Sequence, residues 1–287
     1  MIVVTGASGH LGSRIVDRLL ERVPASRVGV SVRDVGSVPG LAERGVRVRS
    51  GDFTEPASLE HAFEGADQVL VISAAIRGGG AFEANRAAID AAHRAGVTRV
   101  LYTSHQAASR DSLFGPQPVH AAAEEHLAGL GIPFAALRNG FYTSTILMHL
   151  GDALETGRLV VPEDGPVSWT DHADLAEAAA ITLAGEGALD GTTPPLTAPE
   201  LLDFTDVARI LGEITGRSIT RVIISDEDWK AAAVDRGFPP FAADFTLGMF
   251  RAARRGEFAI TDPTLEKLTG HPATSVRTVL ERFVTAG

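Results

Sequence analysis

The sequence predicts a doubly wound α/β fold, a parallel sheet with helices on both faces, and three observations carry that expectation. Short apolar runs alternate with stretches of helical periodicity as far as residue 139. A glycine-rich segment joins the first apolar run to the first helical stretch. Prolines and glycines fall at the junctions between the two kinds of segment.

Taken in order, residues 2–5, 28–32, 46–49, 69–73, 100–104 and 134–137 read as strands, because near-continuous Val, Ile and Leu suit strands buried on both faces. Residues 11–20, 57–63, 81–95 and 119–130 read as the intervening helices. Thr54 is expected to cap a helix with Pro56 in its first turn, Pro118 to open the helix after the fifth strand, and Gly96 and Gly131 to end helices. Beyond residue 139 the alternation loosens into strands at 159–161, 167–169 and 220–224, helices at 174–183 and 204–215, and further helices. The expected division is a Rossmann-type NAD(P)-binding domain at residues 1–139, to which later segments can return, and a smaller α+β substrate-binding portion at 140–287.

Composition narrows the class of ligand. The chain has 287 residues, with 26 basic against 36 acidic side chains and a net charge of −10. Such a balance argues against a nucleic-acid backbone and for a small molecule. Zero cysteines remove a disulfide framework, a thiolate nucleophile and any cysteine-bound zinc or iron–sulfur site. No apolar run approaches a membrane span, and the start resembles a buried strand more than a signal segment, so the expectation is a cytoplasmic protein without a membrane partner. A homodimer is compatible with all of this.

The segment Thr5-Gly-Ala-Ser-Gly-His-Leu-Gly12 lies where a Rossmann domain binds a pyrophosphate. Gly6 permits a tight turn, Gly9 lets the backbone approach the anion, and Gly12 lets the helix approach the sheet, while free helix N–H groups face the charge. Ser8, His10 and Leu11 complete the loop. The spacing is G-x-x-G-x-x-G, against G-x-G-x-x-G in the common dinucleotide fingerprint. At the end of the second strand stands Arg33, a cation suited to a 2′-phosphate; Asp34 beside it keeps NAD(H) open as the less favoured cofactor. Asp52, Ser73, Ser104 and Asn139 fall at the ends of successive strands, where an open α/β sheet presents its crevice, although Asp, Ser and Asn also favour such turns for local reasons.

These pieces together, with Val32-Arg33, Gly51-Asp-Phe53, Val71-Ile-Ser73, Tyr102-Thr-Ser104, Leu137-Arg-Asn-Gly-Phe-Tyr142 and Gly270-His-Pro272, resemble the NmrA-like group of atypical short-chain dehydrogenases. Within that group the likeness points to NADPH-dependent quinone oxidoreductases and triphenylmethane reductases. The resemblance spans nearly the whole chain, and residues 138–142 and Gly270-His-Pro272 are its more specific parts. It implies that Asp52 and Phe53 lie by the adenine, that Ser73 and Ala74 follow the cofactor backbone, and that Asn139, Gly140, Phe141 and Tyr142 lie near the nicotinamide. Thr103 and Ser104 are expected on the same rim.

The Tyr-x-x-x-Lys pair of the best-known short-chain dehydrogenases is absent, since the only tyrosines are Tyr102 and Tyr142 and the only lysines Lys230 and Lys267. In its place His120 and Glu124 stand at i, i+4 on one helical face, which reads either as a proton source or as an ordinary surface pair. Phe141, Tyr142 and Ile146 can form a flat apolar wall or serve as core. Candidate catalytic residues are therefore Tyr142, His120 and Asn139. A reduced quinone is a stabilised phenolate, which water can protonate, so a dedicated acid is dispensable. No H-E-x-x-H metal motif is present, Asp171 to Asp174 reads as a helix cap, and Ser104-His105 lacks a G-x-S-x-G elbow. The expected function is an NADPH-dependent oxidoreductase passing hydride to a quinone-like small molecule. The alternative is a non-catalytic NADP-binding redox sensor; an epimerase is disfavoured by the missing Tyr–Lys pair.

Overall fold

Strands that are apolar at every position have to be covered on both faces, and the chain meets that demand with one seven-stranded sheet. The structure, a computed structural model, describes residues 1–74, 79–185 and 189–286. Strands β1 (Ile2–Thr5), β2 (Val28–Val32), β3 (Arg47–Ser50), β4 (Gln68–Val71), β5 (Arg99–His105) and β6 (Phe134–Asn139) form it in the order β6-β5-β4-β1-β2-β3. Every pairing is parallel. Later come β7 (Phe141–Tyr142), β8 (Arg158–Pro162), β9 (Trp169–Thr170), β10 (Gly191–Thr192) and β11 (Thr220–Ile224). Of these β10 returns to the large sheet beside β6, while β7 pairs with β9 and β8 with β11 in two small parallel sheets.

One face of the sheet is covered by the helices His10–Leu20 and His172–Ala184, which lie against each other and share a core with β1 and β2. Pro56–Phe63, Ala81–Arg94 and Pro116–Gly129 cover the other. The C-terminal half has its own aromatic core, built on Phe141, Trp169, Phe204, Phe250 and Phe258. A buried Asp164–Arg221 pair joins the loop after β8 to β11 there.

Three expectations are corrected at helix starts and one at a strand. The helix after β5 begins at Pro116 and not Pro118, and Glu55, not Thr54, precedes Pro56, which sits at the first helical position. Thr54 is committed instead to the Asp52 carboxylate, which accepts from both its N–H (2.8 Å) and its hydroxyl (2.7 Å). The helix expected at 174–183 starts two residues earlier, capped by Asp171, whose carboxylate accepts from Ala173 N–H. Val167 contributes only an isolated bridge to Leu202, and the strand proper is Trp169–Thr170.

The Gly270-His-Pro272 segment has a structural task. Asp174, buried in the first turn of the helix His172–Ala184, accepts from the N–H and hydroxyl of Thr274. His271 reaches Glu177 on the same helix, and Glu177 also holds Arg22. The end of the chain is thereby fastened to the helix that packs against His10–Leu20.

Candidate functional site

In a sheet of this order the crevice opens between β1 and β4, where the connections on the two sides run in opposite directions. A cleft of about 510 Å³ lies there. It is lined by Gly6, Ser8 and Gly9 after β1, by Ser31, Val32 and Arg33 at the end of β2, by Gly51 to Thr54 after β3, and by Ile72, Ser73 and Ala74 after β4.

The glycine loop meets its demands position by position. Gly6 has φ +61°, a left-handed conformation that a side chain would strain. A Cβ at Gly9 would meet only the Gly6 carbonyl, at 3.3 Å, so the rest of its surroundings is open cleft. A Cβ on Gly12 would lie 2.2 Å from that same carbonyl. Gly12 therefore lets the helix close on its own loop rather than on the sheet. Gly9 caps the helix without a side-chain hydrogen bond, leaving the N–H groups of the first turn available to an anion. His10 is exposed at that terminus, whereas the Leu11 side chain is core and contributes only backbone to the loop.

At the far wall, Asp34 folds back to accept from Gly36 N–H at 2.9 Å, capping a short turn. Arg33 lines the same wall, and among the described residues its guanidinium makes no close ion pair, although its charge acts on Asp52 across the cleft. A cation thus stands where a 2′-phosphate would lie, and one oxygen of the carboxylate that a ribose diol would need is already engaged. The hydrogen bonds from the Thr54 N–H and hydroxyl lower Asp52 from its ordinary carboxylate value. Gly51 is required because a Cβ there would come within 2.3 Å of Ser31 Oγ. That hydroxyl is buried without a partner, as is Asn139 Oδ1, so the region holds two unmet polar atoms among the described residues.

The inner rim is fixed by side chains standing in for strand partners. Pairing of β4 ends at Val71, and the next three backbone N–H groups are each received by a buried side chain. Ile72 donates to Thr5 Oγ1, Ser73 to Thr103 Oγ1 and Ala74 to Asn85 Oδ1, all at 2.8 Å. Thr103, expected on the cofactor rim, is thus a brace behind Ser73. Ser104 is likewise turned away, its hydroxyl donating to Glu124 at 2.5 Å.

His120 and Glu124 share a helical face but not a task, which corrects the expected pair. Glu124 is buried and takes a bidentate ion pair from Arg138 at 2.9 and 2.7 Å, besides the Ser104 hydroxyl. His120 Nδ1 lies 3.0 Å from the Tyr102 hydroxyl, and its ring stacks on His105 at 6.2 Å. Desolvation lowers His120 to about 4 and holds His105 well below the usual imidazole range, so both rings are neutral near pH 7. Both residues are nonetheless only partly buried.

Of the segment 139–142, Phe141 belongs to the aromatic core, with Phe258 at 4.9 Å and His105 at 5.1 Å, and Ile146 is fully buried. The flat wall expected from three residues reduces to Tyr142, partly accessible and backed by His172 at 4.2 Å. Burial raises the Tyr142 phenol, against a hydrogen bond with the Asn139 side chain. Gly140 is spaced by its neighbours, since a Cβ would fall 2.1 Å from Thr170 Oγ1. The sequence reading passed over Asn85, and weighed His105 only beside Ser104 as a hydrolase pair. A lone asparagine inside the alanine stripe of the helix 81–94 is the signal that marks the first; nothing in the local pattern marks the second.

Among the described residues no cluster of His, Asp or Glu is arranged to hold a metal ion, and no helix is long and apolar enough to cross a membrane. The profile of the NmrA-like family matches residues 1–274. The chain is 34% identical to quinone oxidoreductase 2 of Escherichia coli (strain K12) over 277 residues, covering 96% of each chain. It is 30% identical to an NAD(P)H azoreductase of Xenophilus azovorans, over 95% of this chain and 94% of that one. A crystal structure of the Citrobacter sp. triphenylmethane reductase complexed with NADP(H) superposes with a TM-score of 0.92 at 33% identity, covering 98% of this chain and 99% of the other.

Proposed function

We infer the function of a chain that belongs to the NmrA-like family: it is an NADPH-dependent oxidoreductase that passes hydride to a quinone or a similar planar electrophile. The observation that carries the cofactor half of this reading is the Arg33 guanidinium, without a close ion pair among the described residues, beside an Asp34 carboxylate one of whose oxygens already accepts from its own turn. The residues fit the group. Gly9 and the first-turn N–H groups would cradle the pyrophosphate, Arg33 the 2′-phosphate, and Asp52 and Phe53 the adenine end. Ser73 and Ala74 would flank the chain of the cofactor, and Asn139 Oδ1 would accept from an amide. When bound, the nicotinamide supplies the hydride.

The protein's own part is orientation and dryness. Tyr142, His105 and His120 would present aromatic surface to a flat acceptor, while the Phe141–Phe258 core behind them keeps water out. The portion 140–287 would supply most of the substrate side. A cytoplasmic location, where NADPH is supplied, fits this reading. Consumption of NADPH with quinones and azo dyes tests the reading. Many turnovers per protein are expected, with NADH a poorer reductant. Tight NADPH binding without sustained turnover on any acceptor would instead make the protein a redox sensor.

A further inference from the structure

We propose that Asn85 and Tyr102 are positioning residues that lock His120 as a neutral imidazole with its proton on Nε2, aimed at the acceptor substrate. The inference rests on the reductase reading for the identity of that acceptor, but the lock itself follows from hydrogen-bond polarity.

The Ala74 N–H can only donate, so the Asn85 side-chain atom 2.8 Å from it has to be the oxygen. The Asn85 amide nitrogen then faces the Tyr102 hydroxyl, at 3.3 Å, and can only donate to it. With its oxygen accepting from Asn85, the Tyr102 O–H proton is left for its other neighbour, His120 Nδ1, at 3.0 Å. An Nδ1 that accepts puts the imidazole proton on Nε2. The two middle members are buried, Asn85 1% and Tyr102 0% exposed, so water offers no competing partner between them. The titratable groups against His120 are Tyr102 and His105, since Glu124, one turn on, is held by Arg138 and Ser104.

The other ring edge completes the argument. Among the described residues nothing accepts from His120 Nε2, and the residue is only partly buried. His105 is polarised the same way, because the Ala107 N–H reaches its Nδ1 at 3.3 Å and can only donate. A neutral Nε2–H presents a hydrogen-bond donor to oxygen as negative charge develops on a reduced acceptor, and no proton need leave the ring. The chain begins at the Ala74 N–H, on the rim of the cofactor cleft, so the orientation of His120 is tied to the strand end that flanks the cofactor.

Long-range 1H–15N correlation spectra of histidine-labelled protein, with and without NADPH, read the tautomer directly. His120 is expected as Nε2–H throughout pH 6–8. Asn85→Asp keeps the acceptor for Ala74 but removes the donor. The Tyr102 proton then turns to the new carboxylate, and His120 is expected to switch to Nδ1–H. Tyr102→Phe is expected to leave a mixture of tautomers. Both variants should lower kcat on the order of 10- to 100-fold, the scale on which loss of a ring-orienting partner acts, with the NADPH Kd within about threefold, a change small on the affinity scale. An Nδ1–H His120 in the unmodified protein, or an Asn85→Asp protein that stays Nε2–H, overturns the lock. An Nε2–H resonance that obeys both variants in a protein inert toward every quinone supports the lock and overturns the reductase reading instead.

Discussion

Replacing Arg33 by Ala removes the cation that lines the cleft among the described residues, and the cost should fall almost wholly on NADPH. The 2′-phosphate carries about −1.5 to −2 charges near pH 7. The guanidinium is exposed, so its attraction lies near the solvent-screened end of the range, about 1 kcal/mol per charge at 4 Å. Charged hydrogen bonds in a bidentate contact bring the total to about 1.5–3 kcal/mol. NADPH affinity should therefore drop by about 10- to 100-fold, at about 1.4 kcal/mol per factor of ten. NADH, which makes no such contact, should change by less than about threefold. Fluorescence titration of both proteins with both cofactors at two salt concentrations measures this, with the preference shrinking at high salt. Equal affinity of the unmodified protein for NADPH and NADH would refute the reasoning, as would an Arg33→Ala loss shared by both.

Three other perturbations separate binding from architecture. Gly12→Ala sets a Cβ 2.2 Å from the Gly6 carbonyl and should cost about 1–3 kcal/mol of stability, whereas Gly9→Val should leave Tm nearly unchanged and abolish NADPH binding; equal Tm losses would contradict the separate tasks given to the two glycines. Glu124→Gln breaks the pair with Arg138 and should cost about 2–3 kcal/mol in denaturant titration, below the fully buried range because Arg138 is partly wetted, with NADPH affinity retained; an unchanged midpoint would show that the pair contributes nothing. His149, among Phe204, Trp229 and Phe250, is depressed by burial from 6.5 to about 4. Its neutral form favours the folded state, so its contribution is complete above pH 6.5 and is lost as pH falls toward 4, by about 3 kcal/mol at 1.4 per unit. His149→Leu should flatten that part of the acid limb, and an identical pH dependence in the variant would remove the explanation.

The middle of the large sheet was legible because its strands are buried on both faces, which leaves little but Val, Ile and Leu to write them with; Ile2–Thr5 and Val28–Val32 fall where their composition puts them. Helix starts were less legible. Pro116 and Pro118 are both compatible with a first turn, and only the path of the loop from Phe114 decides between them. The glycine loop and Arg33 could be read because their tasks are local, but the fates of His120 and Glu124 could not. Helical spacing shows which residues share a face; it does not show that β5 offers a phenol to one of them and β6 a guanidinium to the other. Thr103 and Ser104 were misplaced for a related reason, since a hydroxyl at a strand end suits a ligand and a neighbouring backbone equally well.

The clasp between Asp174 and Thr274 bears on the order in which the chain becomes a protein. Those partners are 100 residues apart in sequence, Arg22 and Glu177 are 155 apart, and Gln106 and Phe258 are 152 apart. Contacts of such separation are reached late, after the loop between them has been closed. The helix His172–Ala184, which packs against the helix behind the glycine loop, is therefore clasped only when nearly all of the chain has left the ribosome. Until then the first βαβ unit exists without the clamp on its companion helix. A ligand that binds the finished loop would act during biogenesis as well as during turnover, drawing newly made chains toward the native state by mass action.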